Sequence, residues 1–366
     1  VVGAGIGGLS AALALTRAGH TVTVLERSPE VRAVGAGIVL GPNALHVLAT
    51  LGVSTAGAGH RLTTMELQDA RGRVLSALRL GGAAADACSV GLVREELHSL
   101  LIGALAGRAE VITGAEVEAI DDPDGSPVLH WNGRQASADL AVGADGLNST
   151  VRRLLGLPGR LRYSGTTCWR GIADLAVGEC AVESWGVDTR VGLVGVSPTR
   201  AYYYLVASAA QGEAGPATVA DLKTRFGRHG GLAGELVSGL TDLPPLHHDL
   251  IELDRPTWGR CRVPLLGDAA HAMTPNQGQG AAMAIEDAAV LALALEDGLG
   301  GSTARYAAAR SRRVRGVQLT SRRIGQAAHA GPGFLAPVRD AVLRALPDGP
   351  TQRNYDAMVG RAPTGR

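Results

Sequence analysis

The chain has 366 residues, 46% of them hydrophobic and 19% charged, with a formal net charge of +1. That length supports about two domains with substantial cores, and the near-neutral balance offers no field to a polyanion, so nucleic acid is not an expected partner. The longest apolar stretches are too short or too rich in Ala and Gly for a membrane span, so no stable membrane insertion is expected. Cys88, Cys168, Cys180 and Cys261 form no Cys-x-x-Cys pair. They read as small buried hydrophobes in a reducing cytoplasm.

Val1-Val2 is the stub of a first strand, and a few residues are expected to precede it. Gly3-Ala4-Gly5-Ile6-Gly7-Gly8 then opens an apolar helix from Leu9 to Ala18. In that strand–turn–helix context Gly3 permits the tight turn, Gly5 lets backbone approach a pyrophosphate, and Gly8 allows close helix–strand packing. The helix amino terminus, with unpaired N–H groups and a positive dipole end, attracts the phosphates. A second strand, Thr21 to Leu25, ends at Glu26, about twenty residues beyond the glycines, where a carboxylate can accept both hydroxyls of an adenosine ribose. Arg27 beside it joins the expected dinucleotide site. Alone, the pattern does not separate NAD from FAD.

Gly35 to Leu40 leads into Pro42, a good first-turn residue, and a short helix to Leu51. Leu62 to Leu67 and Val74 to Leu78 flank Asp69-Ala70-Arg71-Gly72 and read as a hairpin. A helix from Arg94 to about Leu105 follows, then strands at Val111-Ile112, Glu116 to Ile120 and Val128 to Trp131, with Pro123-Asp124-Gly125 turning the last pair. Asp145-Gly146-Leu147-Asn148-Ser149-Thr150-Val151-Arg152 comes next. From Leu161 to Leu253 the pattern changes to long strands, at Thr166 to Ala173, Ala181 to Val187, Val191 to Val196 and Ala201 to Ala207, with a helical stretch from Ala217 to Arg228. Alternation puts Cys168 and Arg170 on one strand face with Trp169 on the other, and Tyr202 and Tyr204 opposite Tyr203.

Late in the chain come Gly267-Asp268-Ala269-Ala270-His271 and Pro275-Asn276-Gln277-Gly278-Gln279-Gly280, then a helix through Ile285, Glu286 and Asp287. The tail from Ser302 is helical, and its Arg310, Arg312, Arg313, Arg315, Arg322 and Arg323 read as a solvated helix face. Gly331-Pro332-Gly333 breaks it. The expected class is α/β: a discontinuous Rossmann-like dinucleotide domain over residues 1–160 and 256–325, a second mixed β-sheet for substrate over 161–255, and a C-terminal helical segment over 326–366.

Taken together, the glycine turn, the Asp145-Gly146 segment and the Gly267-Asp268 run resemble the single-component FAD-dependent monooxygenases of the aromatic hydroxylase type. This group includes p-hydroxybenzoate and salicylate hydroxylases and zeaxanthin epoxidase. The resemblance covers nearly the whole chain in the family's order and implies the p-hydroxybenzoate hydroxylase-like fold. It places Asp145 and Gly146 next to the pyrophosphate and in NAD(P)H use, with Ser149 and Arg152 matching the same motif. It gives Gly267 and Asp268 to the ribityl chain, Arg94 to the ribityl-phosphate region and the strand at Val117 to the adenine. A surface arginine on an amphipathic helix is the other reading of Arg94.

The implied reaction is reduction of FAD by NADH or NADPH, addition of O2 at flavin C4a, and delivery of one oxygen atom from the hydroperoxide to a small aromatic or unsaturated molecule. The cofactor supplies that reactivity; the protein orients it and excludes water. Reduced flavin is anionic at its N1–C2=O edge, and the helix beginning at Gln279-Gly280 meets it with backbone N–H groups and its dipole. Gly278 and Gly280 admit the ring closely, and Pro275 shapes the place where substrate meets oxygen. Pro275, Gln279 and Gly280 are therefore the expected catalytic positions. Substrate selection falls to Arg170, Tyr202 and Tyr204, against the alternatives of an edge salt bridge for Arg170 and sheet packing for the tyrosines. His271 reads as a structural hydrogen-bonding group, and no metal-ligand spacing presents itself.

Ring hydroxylation leads, and alkene epoxidation uses the same chemistry. Urate-type hydroxylases carry Asp where this chain has Asn276, and flavin halogenases need a Trp-x-Trp-x-Ile-Pro motif that is absent. A non-catalytic FAD-binding protein is the alternative from another class.

Overall fold

The structure, a computed structural model, describes residues 1–31, 35–81, 88–213, 215, 218–329 and 335–360. Its first layer is parallel. Thr23–Leu25 pairs with Glu110–Ile112, Val2 bridges both Leu25 and Gly143, and Gly143 bridges Leu265. The chain thus returns to this layer three times, at Glu110–Ile112, at Gly143 and at Leu265. Helices Ile6–Arg17, Pro42–Thr50, Arg94–Leu105 and Gly280–Glu296 cover it. They share one core in which Leu9, Leu13, Leu48, Leu97, Leu101, Ile285 and Leu291 are fully buried.

The second layer is a seven-stranded sheet in the order 246–253, 161–173, 201–208, 189–195, 180–185, 64–69, 74–79. All neighbours are antiparallel except Cys180–Trp185 with Thr64–Asp69. The 64–79 hairpin, expected within residues 1–160, is therefore continuous with the 161–255 sheet. Its parallel pairing joins strands more than a hundred residues apart, which no local pattern announces. The strand Leu246–Leu253 is equally hidden in the sequence, because His247, His248 and Asp249 mask its alternation.

Helix Val219–Phe226 is fixed by a capping box in which Thr218 and Asp221 satisfy each other's backbone N–H. It buries Leu222 and Phe226 on the back of the sheet against Trp169 and Tyr203. Ala217 and the break at Gly331-Pro332-Gly333 lie outside the described residues. The tail forms helices Ser302–Ala328, Ala336–Ala345 and Asp348–Val359. Among the described residues no helix is long and apolar enough to cross a membrane.

Two expectations do not hold. Of the four cysteines only Cys168 is buried; Cys261 is exposed. The arginine-rich face is solvated only at Arg312 and Arg323. Arg310 is 1% exposed and bonds Glu286 Oε2 (2.6 Å) and Asp287 Oδ1 (2.7 Å), Arg313 grips Glu286 with two donors, and Arg322 pairs with the buried Glu252. The reason is that Ser302–Ala328 crosses over helix Gly280–Glu296, whose interior carries two adjacent carboxylates with no access to water. Buried charges must be paired.

Candidate active site

One large cavity, about 1580 Å³, lies between the glycine turn, the Gly267–Gly280 run and the inner face of the seven-stranded sheet. The turn that forms one end of it is closed by sterics. Gly3 has φ +102°, and a Cβ there would meet the Ala144 carbonyl oxygen at 2.6 Å; a Cβ at Gly8 would strike the Gly3 carbonyl oxygen. Glycine is required at both for different reasons, backbone conformation and close approach. Gly5 differs: a Cβ there would meet nothing within 4 Å, because the residue borders the cavity. Gly146, Gly278 and Gly280 are open in the same way. Four glycines thus border the cavity as a cradle, and the helix Gly280–Glu296 aims its first-turn N–H groups at it.

The Gly267-Asp268 run is held from behind. Asp287 Oδ2 accepts the Gly267 N–H (3.0 Å) and bonds His271 Nε2 (2.5 Å), while its Oδ1 takes Arg310. Burial opposes ionisation of Asp287, yet His271, Arg310 and the Gly267 N–H outweigh it and hold its pKa at about 2. His271 is fully buried and hydrogen-bonded to Asp287 behind the run. On the other side of the same helix, Asn43 donates to Glu286 (2.7 Å) and to Gln279 (3.1 Å), pinning the Gln279 side chain. Asp268 itself is exposed to the cavity, and its carboxylate has no hydrogen-bond partner among the described residues. Arg94 faces it across the cavity, where burial disfavours the guanidinium charge and Asp268 supports it.

Asp287 yields a pH prediction. Its folded pKa lies below the ordinary 3.8, so its contribution to stability is complete above that value and is lost as pH falls through about 2. Between pH 4 and 2 the loss should be about 2 kcal/mol. Urea unfolding should show it, and Asp287→Asn should flatten that acid limb.

The sheet supplies the other wall. Cys168, Arg170, Tyr202, Tyr204, His248, Glu183 and Arg190 border the cavity, while Trp169 and Tyr203 pack on the opposite face. The Tyr202 ring base rests on Gly37 and the Tyr204 ring lies flat on Gly192, each so closely that a Cβ would collide. Arg170 has no carboxylate partner among the described residues; its Nε lies 3.4 Å from Cys168 Sγ. Burial works against its charge, but the facing Tyr202, Cys168 and Tyr204 more than restore it, and its pKa is raised. Burial pushes the Tyr202 phenol up to about 12 despite Arg170. Burial, with Arg170 and His247, pulls His248 down to about 4, so it is neutral near pH 7. The remaining lining beyond the tyrosines is largely apolar, with Met65, Leu67, Leu78, Leu80, Ala181 and Val194.

Of the residues singled out from sequence, Gly5, Arg94, Gly267, Asp268, Pro275, Gly278, Gln279, Gly280, Arg170, Tyr202 and Tyr204 all border this cavity. Others stand behind it. Glu26 accepts the Ala4 N–H (2.7 Å) and the Ser28 N–H (2.9 Å) at the edge of the glycine turn, and Arg27 is exposed beside it. The Val117 side chain is buried with Leu129 and Trp131, leaving only its backbone for any ligand. The Asp145 carboxylate is already committed to Ser149 Oγ (2.5 Å) and the Val151 N–H (3.0 Å), so it shapes the loop. Arg152 donates to Leu147 O and Ala269 O, both at 2.8 Å, and so ties that loop to the Gly267 run. Sequence reasoning misses Asn43, Glu183, Arg190 and Arg310 as site residues. Two adjacent carboxylates inside an otherwise apolar helix are the available signal for Arg310.

The family model for the FAD binding domain matches residues 1–319. The chain belongs to this family of FAD-dependent monooxygenases. It is 37% identical to the aurachin C monooxygenase/isomerase of Stigmatella aurantiaca over 97% of this chain and 96% of that protein. It is also 37% identical to the 2-heptyl-3-hydroxy-4(1H)-quinolone synthase of Pseudomonas aeruginosa over 80% of this chain and 79% of that one. Among solved structures, Klebsiella pneumoniae HpxO complexed with FAD and uric acid superposes with a TM-score of 0.89 at 27% identity, covering 100% of this chain and 97% of the other. The flavoenzyme assignment agrees with the cradle: open glycines, a helix amino terminus and the unpartnered Asp268 carboxylate are the donor and acceptor set that a flavin dinucleotide needs.

Proposed function

We propose that this monooxygenase takes electrons from NADH or NADPH and inserts one atom of O2 into the ring of a heteroaromatic substrate of the quinolone type that carries an apolar substituent. The observation behind this reading is the division of the cavity. On the sheet wall Arg170, Tyr202 and neutral His248 form a polar group, while Met65, Leu67, Leu78, Leu80, Ala181 and Val194 form an apolar one, interrupted by Ser76 and by Glu183 and Arg190, whose charges are paired with each other. A planar polar head and a hydrocarbon arm match those two parts, and the quinolone in the name of the Pseudomonas relative has that form. Use of NADH or NADPH as reductant would suit a cytoplasmic setting. Alkene epoxidation has no separate observation in its favour.

FAD, when bound, supplies the redox and oxygen-transfer chemistry. The protein's part is placement. Gly5 and Gly146 would leave room for the pyrophosphate, Glu26 would stand at the ribose end, and Asp268 would accept from the ribityl hydroxyls. The N–H groups of Gly280 and Ala281 provide fixed positive potential for the flavin edge, and Pro275 bounds the space between ring and substrate. Arg170 supplies the cation facing the substrate's oxygen, and the two tyrosine rings exclude water.

Arg170→Met should leave FAD content unchanged while lowering affinity for a 2-alkyl-4(1H)-quinolone roughly tenfold to a hundredfold, since a hydrogen bond to a charged donor is lost. Tyr202→Ala should open the pocket and lower the ratio of product to NAD(P)H consumed. The check is FAD content, substrate affinity and that ratio, measured together. Wild-type values for both variants would show that these side chains do not meet the substrate.

A further inference from the structure

Tyr204 lies flat on Gly192 and its hydroxyl donates to Glu183 Oε2 at 2.6 Å. The other oxygen, Glu183 Oε1, is also taken: it accepts Trp185 Nε1 at 2.8 Å and Arg190 Nη1 at 3.2 Å. Glu183, Trp185, Arg190 and Tyr204 all border the cavity, and Glu183 and Arg190 are almost fully buried. Arg190 passes the pattern outward, donating through Nε to His329 Nε2 at 3.0 Å. That leaves the His329 proton on Nδ1, 3.1 Å from Ser208 Oγ. Burial, with Arg190 and Arg339, keeps His329 neutral, with a pKa of about 3.

Every donor in this chain is therefore directed and none points back at Tyr204. A carboxylate paired with a buried guanidinium stays ionised and can only accept. The Tyr204 proton is spent on Glu183, and burial together with the Glu183 charge holds the phenol well above its ordinary pKa. Toward the cavity the hydroxyl has only lone pairs to offer.

We propose that Glu183 is a positioning residue that fixes Tyr204 as a hydrogen-bond acceptor, so that the cavity selects a heteroaromatic ring presenting an N–H at that point. This rests on the heteroaromatic substrate reading. An acceptor facing a second acceptor in a buried site is an unsatisfied pair on both sides, which is the arrangement that discriminates between near-isosteric ligands. An N–H held there also gains electron density at nitrogen, which the ring shares with the carbon beta to it, the carbon that meets an electrophilic oxygen.

The test uses the FAD-loaded enzyme and two probes of nearly equal shape, 2-heptyl-4(1H)-quinolone and the 2-heptyl chromone in which ring oxygen replaces N–H. Binding is read from the change in the flavin spectrum. Wild type should bind the quinolone roughly tenfold or more tightly. Tyr204→Phe should bring the two affinities together, with FAD content intact. Glu183→Gln is the sharper variant: the amide oxygen keeps Trp185 and Arg190, the amide nitrogen turns to Tyr204, and the phenol proton is released toward the cavity. The preference should then shift toward the chromone, an effect that simple loosening of the sheet would not produce. Equal affinities in wild type, or a quinolone preference unchanged in both variants, would overturn the proposal. Failure of wild type to bind either probe would overturn the substrate reading and this inference with it.

Discussion

Asp268→Ala should yield a protein that folds but purifies largely colourless. The carboxylate stands at the head of a buried turn yet faces the cavity with no partner among the described residues. No hydrogen bond among the described residues depends on it, and its one electrostatic role in the fold is support of the Arg94 charge. On the proposed placement bound FAD would depend on it, because the Gly267–Gly280 run carries no other carboxylate for the ribityl hydroxyls. Losing hydrogen bonds to a charged acceptor costs about 1.5–3 kcal/mol, so FAD affinity should fall roughly tenfold to a hundredfold. Denaturation of the cofactor-free protein should match that of cofactor-free wild type, which separates cofactor loss from unfolding. A yellow, fully loaded Asp268→Ala protein would remove Asp268 from the flavin site.

The second large effect is on stability. Arg310 neutralises two fully buried carboxylates at once, bonding Glu286 and Asp287. Arg310→Met leaves both in the interior, with Arg313 and His271 as partial compensation. Removing one partner of a buried ion pair costs about 3–5 kcal/mol. Urea denaturation should show a loss in that range. Because Asp287 also holds the Gly267 N–H, FAD release should quicken as well. Arg323→Met, an exposed arginine of the same helix, is the control and should stay within about 0.5 kcal/mol of wild type. Equal small effects at both positions would mean that the carboxylates are protonated or hydrated in solution.

The contrast between these two residues shows what a sequence of this kind discloses. Asp268 is legible because the turn that presents it is local: glycine at 267 takes φ +59°, and the neighbouring residues spell the run. The strand faces are legible for the same reason. Alternation alone puts Tyr202 and Tyr204 on one side and Tyr203 on the other, and the cavity is on the first side. Arg310 is not legible from its own helix, where it looks like its solvated neighbours Arg312 and Arg323. Its burial is decided by Glu286 and Asp287, which lie more than twenty residues away in sequence and under the crossing helix.

Non-local pairing hides other features too. The hairpin at residues 64–79 gives no hint that it extends the sheet of residues 161–255, and Tyr204 shows nothing of Glu183 until the strand between them, Thr189–Gly195, sets both in register at Gly192. Local backbone demands are written in the chain; partners chosen across sheets and helices are not. The charged network behind the cavity belongs entirely to the second kind.

One measurement bears most directly on the proposed reaction. The FAD-loaded enzyme is supplied with NADH or NADPH, a 2-alkyl-4(1H)-quinolone and ¹⁸O₂, and the product is analysed by mass. A quinolone-type monooxygenase should return one ring oxygen carrying the heavy label per NAD(P)H consumed under coupled turnover. Product oxygen drawn from water, or NAD(P)H oxidation with no oxygenated product from any heteroaromatic offered, would contradict that function.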